Sequence, residues 1–402
     1  MRARRARLDY GWIVVAGLSV TETVSWGILY YGFAVFLRSM EIDLRASRVE
    51  VTGAFSAGLL VAALASIPVG RWIDRHGARS LMTGGSCLGV ALMLAWARVE
   101  SVRALYVVWC VMGLALAATL YEPAFAAVVG WFTRGRDRAL LVVTLAGGLA
   151  STIFMPLEAW LLGRQGWRGA IVTLAIVLAI ATIPIHALVL RRAPRRAYTD
   201  GEGTGAQLKD TSITLHGALR TTVFWVLTIA FVVGNFATIS VTVHLIPYLT
   251  ASGYSAAQAA MTVGWIGAMQ LPGRVFFAAI ASRLGPRWMT ASIFLIQAMA
   301  IGQLAVLTRL PSLVPMIVLL GAANGMATLA RATVVAEIFG ARHYASIAGA
   351  VALGTNGARA LAPLGTSLLL VLFGAYPAVF ALLAGTLVLA GVAVLATKAT
   401  AT

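Results

Sequence analysis

Long apolar runs alternate with short stretches of Arg, Asp, Gly and Pro along almost the whole chain. A helix needs about 20 apolar residues to cross the hydrocarbon core of a bilayer. Lipid offers no hydrogen-bond partners to a backbone, so a crossing segment must be a helix or part of a closed barrel, and these runs are too long for barrel strands. The pattern predicts an all-α integral membrane protein of twelve spans, placed near residues 12–36, 50–69, 80–97, 104–130, 139–162, 169–190, 221–249, 256–280, 288–308, 313–337, 346–372 and 375–397.

One long polar stretch breaks the series. It holds Arg191-Arg-Ala-Pro-Arg-Arg and Asp200-Gly-Glu-Gly-Thr-Gly, the composition of a flexible linker. The expected organisation is an N-terminal six-helix bundle (1–190), a linker (191–220) and a C-terminal six-helix bundle (221–402), a recurring transporter layout. Internal repetition supports the division. Gly147-x8-Pro156 in span five recurs as Gly354-x8-Pro363 in span eleven, and Gly113 matches Gly321. After span two, Asp74-Arg-His-Gly-Ala-Arg79 is echoed by Ser282-Arg-Leu-Gly-Pro-Arg287 after span eight.

Composition sharpens this picture. The 402 residues are 60% hydrophobic and only 11% charged, against roughly 25% charged in ordinary soluble domains. The net charge of +17 does not imply nucleic acid, because the cations punctuate apolar runs instead of gathering on one polar face. Lys and Arg outside the spans number 20 on the side of the N-terminus and 8 on the other. By the positive-inside rule the termini and the linker are expected in the cytoplasm, and the chain in the inner (cytoplasmic) membrane. Cys87 and Cys110 lie within apolar runs and do not look like a disulfide or a metal site. The basic N-terminus leads into a run too long for a cleaved signal, so a retained first helix is expected.

Pro68-x-Gly70-Arg71-x-x-Asp74-Arg75-x-Gly77-x-Arg79 resembles the signature loop of the major facilitator superfamily. In that family the Asp and Arg latch the cytoplasmic ends of neighbouring helices, so Gly70, Asp74, Arg75, Gly77 and Arg79 are expected to form a gating motif. The resemblance implies two bundles rocking about a midplane site. Asp9-x-Gly-Trp-x-Val-Val15 and Trp131-Phe-x-Arg-x-Arg-x-Arg-Ala139 look like the monocarboxylate porter and oxalate–formate antiporter group. Drug–proton antiporters instead carry an Arg at about the position of Trp109 and a Gly-Pro pair in span five, and this sequence has neither.

Charged residues inside spans are costly and usually face a cavity or a partner. Arg274 in span eight is the sharpest such case. Its planar fork matches a carboxylate and keeps its charge at any accessible pH, and the carrier group's carboxylate-binding Arg lies in this span. Gln270 is one turn earlier on the same helix face. His244 in span seven and Tyr121 in span four resemble substrate-contact positions of bacterial lactate carriers. The alternatives are a neutral histidine bonded to a backbone carbonyl and an aromatic packing residue. Glu22, Trp26 and Tyr30 recur at four-residue steps, with Tyr31 adjacent, and form one stripe of span one. Arg359 in span eleven stands about one turn from a Lys of oxalate–formate antiporters; it either binds substrate or pairs with Glu158 or Glu122. Glu22 and Glu158 are expected as proton carriers, Glu122 as a structural acid beside Pro123, and Asn324 as either cavity lining or a tie between helices.

The animal lactate carriers have a Lys late in span one and an Asp near the span-eight Arg. No acid occurs here from Ala256 to Ile280, so their proton scheme does not transfer directly. No nucleotide-binding fingerprint, metal-ligand group or nucleophile–base spacing stands out, so neither an enzyme nor a cofactor is expected. The sequence therefore points to a carrier of small organic anions, most closely monocarboxylates of the lactate or pyruvate type, with protons as a further partner. The rivals are a drug or amphiphile exporter of the same superfamily and an anion sensor that does not transport.

Overall fold

In a computed structural model the chain is described at residues 2–132, 135–191, 212–306 and 310–397, and no strand occurs among them. Most of the 191–220 linker and Arg134 of the span-five entry motif lie outside the described residues. Among the described residues, eleven apolar helical stretches are long enough to cross a membrane. The fifth, Arg136–Val189, runs 54 residues but is broken at Gly166, whose φ of 68° and ψ of 171° are non-helical. Counted at that break, the stretches correspond to the twelve spans expected. They are α1 (Tyr10–Asp43), α2 (Arg48–His76), α3 (Ala78–Trp96), α4 (Val102–Trp131), α5 (136–165) and α6 (167–189). The second set is α7 (Thr222–Ala251), α8 (Met261–Ile280), α9 (Arg283–Val306), α10 (Leu313–Phe339), α11 (Tyr344–Phe373) and α12 (Tyr376–Ala396).

Local chemistry sets the ends of these helices. Ser47 accepts from the Glu50 amide while the Glu50 carboxylate accepts from the Ser47 amide, a capping box that starts α2. Ser101 and Thr221 cap α4 and α7 in the simpler one-bond form. Gly77 (φ 82°, ψ 170°) turns α2 into α3, and Gly285 (φ 67°, ψ 158°) makes the matching turn in the second half. A side chain is strained at such a φ, which is why the repeated loop keeps glycine there. Within α4, Pro123 removes an amide and crowds the carbonyl four residues earlier, and the helix breaks at Leu120 into an extended residue. Two π-turns, Trp26–Tyr31 in α1 and Ile185–Val189 at the end of α6, also interrupt the regular helices.

The chain forms two compact units. The first comprises Met1–Leu215 together with Val335–Ala350, and the second His216–Val334 with Val351–Thr402. The first unit packs around Phe33, Phe36, Trp96 and Trp109, with the Trp96 indole N–H donating to Met40 Sδ at 3.2 Å. At one end Arg168 ties the start of α6 to the end of α1 and to the α3–α4 loop. It pairs with Asp43 at 2.6 Å and donates to the carbonyls of Ala97 and Val99 at 2.9 and 2.7 Å. In the second unit the Tyr248 hydroxyl donates to Leu304 O at 2.8 Å, and the Arg287 guanidinium donates to Leu395 O.

Candidate functional site

Within the second unit, α8 places Arg274 one turn after Gln270. Pro272 lies between them and deprives the carbonyl of residue 268 of its intrahelical donor, loosening the helix just before Arg274. Arg274 is only 5% exposed and Gln270 is half-buried. Small residues bring α10 against this segment. A β-carbon on Gly273 would lie 2.2 Å from Ala322 O, and one on Gly325 would lie 2.1 Å from Gln270 O. Helices approach this closely where glycines face the contact. A guanidinium carries a planar fork of charge-assisted donors.

The other residues of this unit are held by their neighbours. His244 Nε2 lies 3.2 Å from Pro363 O and Nδ1 lies 3.4 Å from the Tyr376 hydroxyl. The ring therefore links α7 to α11 and α12. Asn324 Oδ1 accepts from Thr238 Oγ1 at 3.0 Å and from Gln297 Nε2 at 2.9 Å, joining α7, α9 and α10. This is the geometry of a tie between helices. Nothing in the sequence marks Thr238, and Gln297 is marked only as an uncharged amide inside an otherwise apolar run. Arg359 is half-buried on α11, beside the buried Thr355.

The first unit brings the span-one stripe together with Tyr121. Trp26 packs against Tyr30 at 4.9 Å, Tyr31 at 6.3 Å and Tyr121 at 5.0 Å between ring centroids. The Trp26 indole N–H donates to Glu22 Oε2 at 3.1 Å, and Glu22 is fully buried. A β-carbon on Gly147 would fall 2.5 Å from the Tyr121 hydroxyl, so the α5 glycine makes room for this ring. Glu158 is also fully buried, and neither carboxyl oxygen has a hydrogen-bond partner among the described residues. Gly32, just after the π-turn, abuts Glu158: a β-carbon there would sit 2.8 Å from Oε1. π-turns are frequent where a helix carries function. Another buried contact not picked out in the sequence joins Ser86 Oγ and His186 Nδ1 at 2.8 Å, between α3 and α6.

The signature loop has its own geometry in the first unit. Asp74 Oδ1 accepts from the Ala345 amide at 3.0 Å and Oδ2 from the Ser346 amide at 2.9 Å. A carboxylate at the first turn of α11 satisfies amides that have no intrahelical acceptor and complements the helix dipole. Gly70 permits the approach, since a β-carbon would lie 2.1 Å from Ala345 O. Arg75 and Arg79 are exposed on the same loop.

Residues 18–307 match the sequence model of the Major Facilitator Superfamily. Bovine "Monocarboxylate transporter 13" is 29% identical over 273 residues, covering 66% of this chain and 60% of that protein. The "Oxalate:formate antiporter" of Oxalobacter formigenes is 25% identical over 265 residues, covering 65% of this chain and 61% of that one. The chain thus matches about 60% of the length of these relatives. Among solved structures, the superfamily transporter FucP in its outward conformation superposes with a TM-score of 0.75 at 14% identity, covering 96% of this chain and 98% of FucP. The human organic anion transporter MFSD10 gives 0.69 at 17%, covering 96% and 99%. The helical spans, the signature loop and the match over most of its length together place this chain in the Major Facilitator Superfamily, as a multi-pass membrane protein.

Proposed function

We propose that the chain carries small organic anions across the membrane by alternating access, most closely monocarboxylates of the lactate or pyruvate type. The observation that carries this reading is Arg274, a guanidinium only 5% exposed inside a membrane span. Such a charge is retained where it has work to do, and its fork suits a carboxylate. The likeness to monocarboxylate transporters and to an oxalate:formate antiporter supports the same substrate class. Gln270, Tyr121, His244, Tyr30, Tyr31, Asn324 and Arg359 shape the surroundings of the anion, some directly and some by holding helices. Glu22 and Glu158 are the coupling groups, because each is a carboxyl wholly within the apolar interior. Gly70, Asp74, Arg75, Gly77 and Arg79 gate the cytoplasmic side. In this reading the moving bodies are 1–190 and 221–402 joined by 191–220, in the inner membrane with both termini cytoplasmic.

The test is counterflow of labelled lactate, pyruvate and oxalate in proteoliposomes, with wild type beside Arg274→Ala at two external pH values. Accumulation that depends on Arg274 supports a carboxylate carrier, and an effect of pH on net uptake separates proton symport from anion exchange. Folded protein that gives no counterflow with any of the three overturns the reading in favour of drug or amphiphile export, or of anion sensing.

A further inference from the structure

A cavity of about 760 Å³ opens in the first unit where α2, α4 and α6 end and α3 begins, and it also takes in the segment leading into α11. On α4 and α6 the small residues Ala126, Ala127, Gly130 and Ala187 line it beside Trp131, and their short side chains leave the space open. Its charge is strongly one-sided. Arg79, Arg191 and Arg342 line it, and Asp74 is the one acid among the lining residues. Both Asp74 oxygens already accept backbone amides from Ala345 and Ser346. Three arginines thus line the cavity, the Arg191 guanidinium also lying over the Tyr10 ring at 4.8 Å, against one carboxylate whose oxygens are committed elsewhere.

We infer that this cavity binds a phosphate-bearing anion, held by Arg79, Arg191 and Arg342. A phosphate group offers three charged oxygens and takes bidentate bonds from several arginines at once, whereas a monocarboxylate satisfies one fork. The volume is that of a pocket for a ligand much larger than lactate. Every helix that contributes ends here on one side of the bundle, which sets the cavity at the depth of lipid headgroups. Basic pockets between transmembrane helices at that depth bind anionic headgroups. The shared chemistry is a phosphate ester or diester, from an anionic phospholipid or from a free phosphorylated solute. The inference stands independently of the transported substrate, since none of the three arginines belongs to the Arg274 region.

The experiment measures thermal unfolding of the full chain in detergent. Phosphatidylglycerol, phosphatidylcholine and, separately, inorganic pyrophosphate are titrated in. The proteins are wild type, the double variant Arg191→Gln/Arg342→Gln and the control Arg103→Gln, which removes an exposed charge at the opposite end of α4. Wild type is expected to be stabilised by phosphatidylglycerol and not by phosphatidylcholine. The half-effect concentration should rise about fivefold for each arginine removed and stay unchanged in the control. Stabilisation by pyrophosphate as well, lost in the double variant, assigns the site to free phosphates. Phosphatidylglycerol alone assigns it to lipid. Native mass spectrometry of bound phosphatidylglycerol or pyrophosphate on the single variants reads the same loss without depending on melting. No stabilisation of wild type by either probe, or an equal loss in Arg103→Gln, overturns the inference.

Discussion

A β-carbon on Gly113 would lie 2.2 Å from the carbonyl oxygen of Gly58, so α2 and α4 meet backbone to backbone at this point. The second unit repeats the arrangement: a β-carbon on Gly321 would lie 2.5 Å from Ile266 O, between α8 and α10. The two glycines are also the pair matched by the internal sequence repeat. Without a hydrophobic driving force between helices in lipid, close contact between small residues is what holds such interfaces.

Enlarging either glycine should therefore separate the helices it joins. Gly113→Val and Gly321→Val force the carbonyl facing them to move, and overpacking of this kind costs about 1–3 kcal/mol or more. Both variants should give much less monodisperse protein on size exclusion and a lower melting temperature. Gly264→Ala, where an added β-carbon meets nothing within 4 Å, should behave as wild type. Normal yield and melting for Gly113→Val would show that the contact is not tight.

For Arg274 the prediction separates charge from shape. Arg274→Ala should abolish counterflow of monocarboxylates. Arg274→Lys keeps the positive charge, but an ammonium holds one oxygen where the fork holds two. Loss of a desolvated charged partner costs about 2–5 kcal/mol, so uptake by Arg274→Ala should fall at least about 30-fold, with Arg274→Lys in between. Surface expression of all three proteins should match. Full activity in Arg274→Lys would mean that the site reads charge alone, and full activity in Arg274→Ala would remove this arginine from the site.

The spans and their repeat could be read from the sequence because they depend on local properties. A crossing helix must be apolar over its own length, and a left-handed turn such as Gly77 or Gly285 needs glycine at its own position. Partners across space leave no such trace. Asn324 was visible as a polar residue in an apolar run, but nothing near it in sequence names Thr238, 86 residues away. Arg168 and Asp43 lie 125 residues apart and look like ordinary loop charges. The signature loop marked Asp74, yet its acceptor role toward Ala345 and Ser346, at separations of 271 and 272, appears only in the fold. The π-turn at Trp26–Tyr31 was likewise hidden, because a one-residue change of helical pitch does not alter an apolar composition.

The Thr238–Gln297–Asn324 group predicts stability more than transport. Asn324 Oδ1 takes two donors, so Asn324→Ala leaves the Gln297 amide, 2% exposed, without that acceptor. Interhelical hydrogen bonds in membranes average about 0.6 kcal/mol and reach about 1.7, so a loss of about 1 kcal/mol is expected. A double-mutant cycle with Gln297→Leu should show less than additive destabilisation, since removing both amides also removes the Gln297 donor that Asn324→Ala alone deprives of an acceptor. Strict additivity would show that the two side chains are not coupled.

The contact of Asp74 with α11 makes the most local prediction. Asp74→Asn keeps the size of the side chain but offers one carbonyl oxygen in place of two, and it removes the negative charge at the helix N-terminus. Capping bonds of this type contribute about 0.5–2 kcal/mol, with a further charge–dipole contribution of about 0.3–1 kcal/mol. Hydrogen exchange at the Ala345 and Ser346 amides should therefore speed up roughly tenfold in Asp74→Asn and more in Asp74→Ala. The amides of α12 should not change. Gly70→Val should accelerate the same two amides by a different route, because its side chain would push against Ala345 O and displace the helix from the carboxylate. Unchanged exchange at both amides in Asp74→Ala would show that this carboxylate does not hold α11. Acceleration in Asp74→Asn with normal exchange elsewhere would localise its effect to the first turn of that helix.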